Sequence, residues 1–251
     1  MMRLHAPPSR SSRPRGTAAQ KDSAMSTPKH RETLAIVDAA SALGDALVSE
    51  VYLALRGSGE IMALSAHPEN LTHFSRAISY EAIPHSLDDY ALALGGASAL
   101  LLVIEEHDQA EALTTRTIRA MRRAGVRRLI AAAPLDALAY TVHGTRDAEA
   151  PRRERPLTER AKKAWASVGS PNPGLLGARR ALELVRRSGL ETTLLLHPPI
   201  LVAPGPATVT RTPAAYAPTA SAEITAANAA RAILAARTAA SIGAEDVLSE
   251  E

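Results

Sequence analysis

The fold is decided by one stretch, Thr33-Leu34-Ala35-Ile36-Val37-Asp38-Ala39-Ala40-Ser41-Ala42-Leu43-Gly44-Asp45-Ala46-Leu47. Its first five residues are a short apolar run ending in two β-branched side chains, the pattern of a buried strand. Asp38 to Gly44 are mostly small, and beyond them Leu47, Val48, Val51 and Leu55 recur at helical spacing. A strand feeding a small-residue turn and then a helix opens a βαβ unit of the kind that rests a dinucleotide phosphate on the helix N-terminus. Such turns read G-x-x-G-x-x-G or G-x-G-x-x-G. Here only the last glycine, Gly44, is kept, and Asp38 and Ser41 stand at the other two places.

Around this stretch the chain has 251 residues, enough for one large α/β domain with a full core. Only Trp165 and Phe74 join the five tyrosines, too few rings for a protein that stacks many bases or sugars. Cysteine is absent, which excludes disulfides, thiolate chemistry and cysteine-ligated zinc or iron–sulfur sites. No apolar run approaches the roughly 18 residues needed to span a bilayer. The net charge of +3 is uneven: residues 1–24 carry +4, leaving −1 for residues 25–251. The basic stretch is rich in Pro, Ser and Arg without apolar periodicity and reads as a disordered tail. It lacks the apolar core of a secretory signal, although its Arg- and Ser-rich, acid-poor character also suits a transit peptide. The preferred reading takes Met25 as the start and the preceding residues as an extension. The expected organisation is a tail over residues 1–30, a domain over 31–240 and a C-terminal tail over 241–251.

After the opening helix, Gly57-Ser58-Gly59 stops the chain and Ile61-Met62-Ala63-Leu64 forms a second strand. His67 to Leu71 reads as the start of a helix with Pro68 in its first turn. Ala77–Ile83 is a weak third strand and Leu87–Leu94 a short helix. Ala99 to Ile104 is a continuous apolar run, the mark of a parallel strand buried on both faces. Asp108–Ala124 is a helix and Val126–Ala133 the fifth strand. No firm element is read from Pro134 to Pro156. Glu159–Ala166 and Gly177–Ser188 read as helices, Thr192–Leu196 as the sixth strand and Ala222–Ala239 as the last helix. Alternating strands and helices predict a doubly wound parallel sheet, a Rossmann fold in a single domain.

Four further segments resemble the atypical short-chain dehydrogenase/reductase family, and within it the NmrA-like NAD(P)-binding proteins. They are Ile61 to Glu69; Ala124-Gly125-Val126-Arg127-Arg128-Leu129-Ile130; Ala178 to Glu183 continuing through Ser188-Gly189-Leu190, Thr193 and His197-Pro198; and Ile224 to Ala230. The resemblance runs from about Thr33 to Ala236, and its departures fall on the chemistry. The family's arginine after strand two corresponds to Ala66, its aspartate after strand three to about Ile83, and its serine at the end of strand five falls within Ala131-Ala132-Ala133. The later helix carries Arg179 where the family has lysine, and Asn228 where it usually has aspartate. No tyrosine has a lysine four residues on; Tyr140 is followed by Gly144 at that spacing.

The resemblance implies NADP or NAD as cofactor, with NADP preferred because no acidic residue ends strand two. It implies cofactor contacts from Asp38, Ala39, Ala40, Ser41, Ala42, Leu43, Gly44, Ser65, His67 and Arg179. Two readings of the turn stay open. Asp38 would bring a carboxylate to an anion, where like charges about 4 Å apart repel by roughly 1 to 4 kcal/mol. Alternatively, Asp38 or Ser41 caps the helix in place of the phosphate. Glu105-Glu106-His107-Asp108 lies on the ligand edge of the sheet, but Asp108 and Glu111 have capping-box spacing, and a helix start is the preferred reading. His67 and His197 precede prolines and read first as ordinary histidines of turns. Arg179 reads first as a helix-surface arginine. The basic cluster Arg152, Arg153, Arg155, Arg160, Lys162 and Lys163 is interleaved with Glu154 and Glu159 and reads as a solvated face. The functional expectation is a cytoplasmic NAD(P)H-dependent oxidoreductase with a degenerate phosphate turn; the alternative is a non-catalytic relative, a pseudoenzyme acting as a nucleotide sensor or protein-binding regulator. A dinucleotide or other small molecule is the expected ligand, with no metal, nucleic acid or membrane partner.

Overall fold

The computed structural model describes residues 32–56, 58–71, 75–139, 172–202, 209–214 and 223–250. The tail over 1–30, the helix expected at Glu159–Ala166, Tyr140 and the basic cluster at 152–163 lie outside the described residues.

The opening stretch folds as read. Strand β1 (Thr33–Val37) leads through a turn into helix α1 (Ala42–Leu55). There follow β2 (Glu60–Ser65), β3 (Ile78–Ala82), α2 (Leu87–Ala93), β4 (Ala99–Val103), α3 (Ala110–Ala124) and β5 (Arg128–Pro134). After them come α4 (Pro173–Arg186), β6 (Glu191–His197), β7 (Ile200–Leu201), β8 (Val209–Pro213), β9 (Ile224–Thr225), α5 (Ala226–Ala235) and β10 (Glu245–Glu250). Eight strands form one sheet in the order β3-β2-β1-β4-β5-β6-β10-β8. All its pairings are parallel except β10 with β8. The order reverses between β1 and β4, which is the topological switch point where such sheets leave a crevice. Strands β7 and β9 form a separate two-stranded pair.

Burial follows the period-two alternation of strands. In β1, Ala35 and Val37 face one core with α2, α3 and α4, while Leu34 and Ile36 face the other with α1 and α5. In β4, Leu100 and Leu102 take the first side and Leu101 and Val103 the second, so every residue of the strand is buried. The Tyr90 ring is fully buried, and its hydroxyl shares a 2.9 Å hydrogen bond with Thr117 Oγ1. Burial pushes that phenol up to about 12.

Three expectations need correction. The stretch expected as a C-terminal tail contains a strand, since Glu245–Glu250 pairs with β6 on one side and β8 on the other. The pattern there is weakly apolar, so tertiary pairing supplies what local periodicity lacks. Ion pairs help: Arg211 meets Asp246 at 2.6 Å and Arg186 meets Glu245 at 2.6 Å. The segment at Pro68–Asn70 is a single 3-10 turn rather than a helix. The Asp108/Glu111 capping box does not form: α3 starts at Ala110 after Gln109, which makes no capping bond, and Glu111 instead accepts from Arg180 at 3.3 Å.

Candidate functional site

Strand register brings four loops together at the carboxyl edge. Val37 stands beside Leu64 and Leu102, and Pro134 beside His197. The residues that follow β1, β4, β5 and β6 therefore emerge at one level. They line a cleft of about 440 Å³ formed by Ser41 and Ala42, Glu105 and Glu106, Pro134 to Asp136, and His197 to Ile200.

The turn after β1 is tight and held by its own hydrogen bonds. Asp38, at the place of the first glycine, has φ +66°, the left-handed region that Asp and Asn tolerate better than most residues. Its carbonyl accepts from Ser41 N–H at 3.2 Å and from the Ser41 hydroxyl at 2.9 Å. Ser41 caps α1 by accepting from Gly44 N–H at 3.0 Å. Of the two capping candidates, Ser41 is the one that caps. Gly44 cannot be replaced without movement, since a Cβ there would lie 2.2 Å from the Asp38 carbonyl oxygen. This is the close helix–strand approach that the third glycine of a dinucleotide turn provides. Ala39 in the turn and Leu43 in the first turn of α1 are fully buried, so their side chains belong to the core.

The charges at this edge are distinctive. Burial raises the Asp38 carboxyl above the usual range, and His107 and His67 partly offset the rise. The Glu105 carboxyl is also raised, first by burial and then by the charge of Asp38, with the Ser41 hydroxyl acting the other way. Helix α4 holds the loop that carries Glu105. A Cβ on Gly174 would sit 2.4 Å from the Glu106 carbonyl oxygen, and one on Gly177 would sit 2.6 Å from that of His107. Asn172 caps this helix by accepting from Gly174 N–H at 3.0 Å and Leu175 N–H at 3.4 Å.

Across the cleft, His197 is buried and its Nδ1 lies 2.8 Å from the Pro198 carbonyl oxygen. Burial pushes its pKa down to about 4, so the ring is neutral at physiological pH. The Nδ1–H donates to that carbonyl, which leaves Nε2 as the acceptor.

Of the expected cofactor contacts, Ser41 and Ala42 line the cleft, and Asp38, Ala39, Ala40, Leu43 and Gly44 form the turn beside it. Ser65 is buried at the end of β2 and accepts from His67 N–H at 3.0 Å. His67 is exposed and pairs with Glu69 at 3.2 Å. Arg179 lies on α4, pairs with Glu183 at 3.3 Å and does not line the cleft. Glu105 and His197, read first as a helix start and a turn histidine, do line it. The signal for both was their position just beyond strands that end at the ligand edge. No helix among the described residues is long and apolar enough to cross a membrane.

A family model described as NAD(P)H-binding matches residues 39–239, and the chain belongs to this family. The NAD(P)-binding Rossmann family expected from the sequence is the one that matches. No curated protein matches the chain. Among solved structures, a short-chain dehydrogenase/reductase from Veillonella parvula in complex with NADP is 16% identical, with 87% of this chain and 94% of that one covered and a TM-score of 0.67. A Rossmann-fold NAD(P)-binding family protein from Shigella flexneri is 16% identical over 88% of this chain and 94% of that one, with a TM-score of 0.61. An oxidoreductase from Lactococcus lactis is 15% identical over 87% and 91%, with a TM-score of 0.61. At these identities the likeness is one of fold.

Proposed function

We propose that this member of the NAD(P)H-binding family is an oxidoreductase that holds the dinucleotide along the carboxyl edge of its sheet. The observation that carries the reading is the cleft at the switch point, bounded by the α1 N-terminus on one side and His197 on the other. The backbone fits the cofactor: the turn places Asp38 in the left-handed region, Gly44 allows the helix close to the strand, and α1 presents its N-terminus. The pyrophosphate would rest over Ser41 to Gly44, and the nicotinamide end would occupy the cleft beside Glu105 and His197. Bound there, the reduced nicotinamide would supply a hydride. The chain's own part is to orient the ring between the β4 and β6 loops and to keep water out with Pro134, Pro198 and Pro199. NADP is preferred over NAD, since Ser65 and not an acidic residue ends β2.

One observation favours a second reading, a relative that binds the nucleotide weakly and acts as a sensor. Asp38 brings negative charge to the turn where the pyrophosphate would rest, and Ser41 already occupies the Gly44 N–H. Calorimetric titration with NADPH and NADH, followed by NADPH oxidation assays with small hydride acceptors, tests the proposal. Micromolar binding of NADPH with turnover supports the enzyme. Binding without turnover of any acceptor favours the sensor, and absence of binding to both nucleotides overturns the proposal.

A further inference from the structure

Val37 pairs with Leu102, so Asp38 leaves β1 beside the strand that leads through Val103 and Ile104 to Glu105. Where a dinucleotide turn carries its first glycine, this chain therefore sets one carboxyl group near another from the β4 loop. Both are largely withdrawn from water, and the charge of Asp38 opposes that of Glu105. Ser41 reaches both members of the pair. Its hydroxyl, with a single hydrogen to give, donates to the Asp38 carbonyl at 2.9 Å and also favours charge on Glu105. Among the described residues, His107 and His67 offset Asp38, and Glu106 opposes Glu105. Asp136 and His197 line the same cleft from the loops after β5 and β6. Helix α4 meets the β4 loop through Gly174 and Gly177.

We propose that this turn takes up its dinucleotide together with a proton, which the Asp38 and Glu105 pair gains from solvent as the pyrophosphate arrives. This rests on the reading above and names how that same site is regulated. The family binds NAD(P)H, and both phosphates of the pyrophosphate are charged. Resting over Ser41 to Gly44, they would bring further negative charge to the pair, because Ser41 bonds to the Asp38 backbone and acts on Glu105. One proton relieves two repulsions together, that between the carboxyl groups and that between carboxyl and phosphate. Interacting groups titrate as a unit, so the proton belongs to the pair and not to either residue. Linkage fixes the sign. A site that gains a proton on binding binds more tightly as pH falls, and the bound dinucleotide raises the affinity of the pair for protons to the same extent. A turn with glycine at these places has no such group. The altered turn thus makes occupancy follow pH where a glycine turn would not.

The test is calorimetric titration of the full chain with NADPH at pH 6.5 and pH 7.5, each in two buffers of different ionisation enthalpy. The difference in heat between buffers counts the protons taken up. The 2′-phosphate of NADPH titrates near about pH 6, and His67 and His107 can also take protons. The readout is therefore the difference between the unmodified protein and Asp38→Asn/Glu105→Gln, in which those groups are unchanged. The unmodified protein is expected to take up about half a proton more than the double variant at pH 6.5, and its affinity should rise roughly threefold more between pH 7.5 and pH 6.5. In the unmodified protein the side-chain carboxyl carbon resonances of Asp38 and Glu105 should titrate at higher pH with NADPH bound than without, a readout that does not depend on any variant folding. Equal proton counts and equal pH slopes in the two forms, or carboxyl titrations that NADPH leaves unmoved, overturn this inference and leave the cofactor reading standing. Failure of NADPH to bind at either pH overturns both.

Discussion

At the amino edge of the sheet, the buried Arg128 guanidinium donates to the Glu191 carbonyl at 2.7 Å, to Thr193 Oγ1 at 2.6 Å and to the Ala236 carbonyl at 2.7 Å. At the carboxyl edge, Asp38 and Glu105 are withdrawn from water beside each other, with their carboxyl groups raised above the usual range. The first charge sits among acceptors and at the C-terminus of α5, where the helix dipole favours a cation. In the second pair burial is the main cause of the rise, Glu105 also faces the like charges of Asp38 and Glu106, and His107 and His67 partly offset Asp38. A buried charge kept for structure is surrounded by partners of its own chain. A buried carboxylate raised by burial and like charge on a cleft, as Glu105 is, is a candidate binding group.

The largest expected effect comes from breaking the amino edge. Arg128→Ala strips three acceptors of their donor inside the core and should destabilise by about 3 to 5 kcal/mol. Urea denaturation reads this directly, and a loss below about 1 kcal/mol would show that water replaces the guanidinium and that the two edges do not differ as argued.

A smaller effect tests the far wall of the cleft. The His197 pKa falls from 6.5 to about 4 in the folded chain. Between those values the unfolded chain binds more protons, so the stability is fully present above pH 6.5 and is lost as pH falls toward 4. At about 1.4 kcal/mol per unit this amounts to up to roughly 3 kcal/mol. His197→Gln should flatten that part of the profile relative to the unmodified protein, measured by denaturation midpoints at pH 4.5 and 7. Parallel profiles would place the ring in contact with water.

The smallest effect has the opposite sign. Asp38 has a raised carboxyl, so the folded chain holds its proton to higher pH and stability falls as pH rises through that window. Asp38→Gly removes the charge and relaxes a left-handed residue, at the cost of a freer unfolded chain. The variant should lie within about 1 kcal/mol of the unmodified protein, should gain on it between pH 4 and pH 7, and should bind NADPH more tightly. Weaker NADPH binding by the variant would make Asp38 a working part of the site.

Much of the turn in the candidate site was legible because it is local. Gly44 and the run before it announced the turn, and Ser41 was one of two named caps. Glu105 and His197 were visible only as residues beyond strand ends, because what sets them facing one cleft is the register of Pro134 beside His197 and the approach of Gly174 to the Glu106 carbonyl. The same loop packing accounts for the capping box that did not form: Glu111 found a partner on another helix, Arg180.

By itself the sequence determined the elements whose periodicity is strong. These are β1 with its turn and α1, the doubly buried β4 and the alternation that makes a parallel sheet, because burial of regularly spaced apolar side chains is encoded within a few residues. Only the tertiary structure decided that Glu245–Glu250 is a strand, since its stability comes from two flanking strands and from Arg186 and Arg211 far away in the chain. It alone decided that Glu105, Glu106, Asp136 and a neutral histidine share one cleft. Charge interactions depend on distances through space and on the water removed between groups, and neither is written in the spacing of residues along a chain.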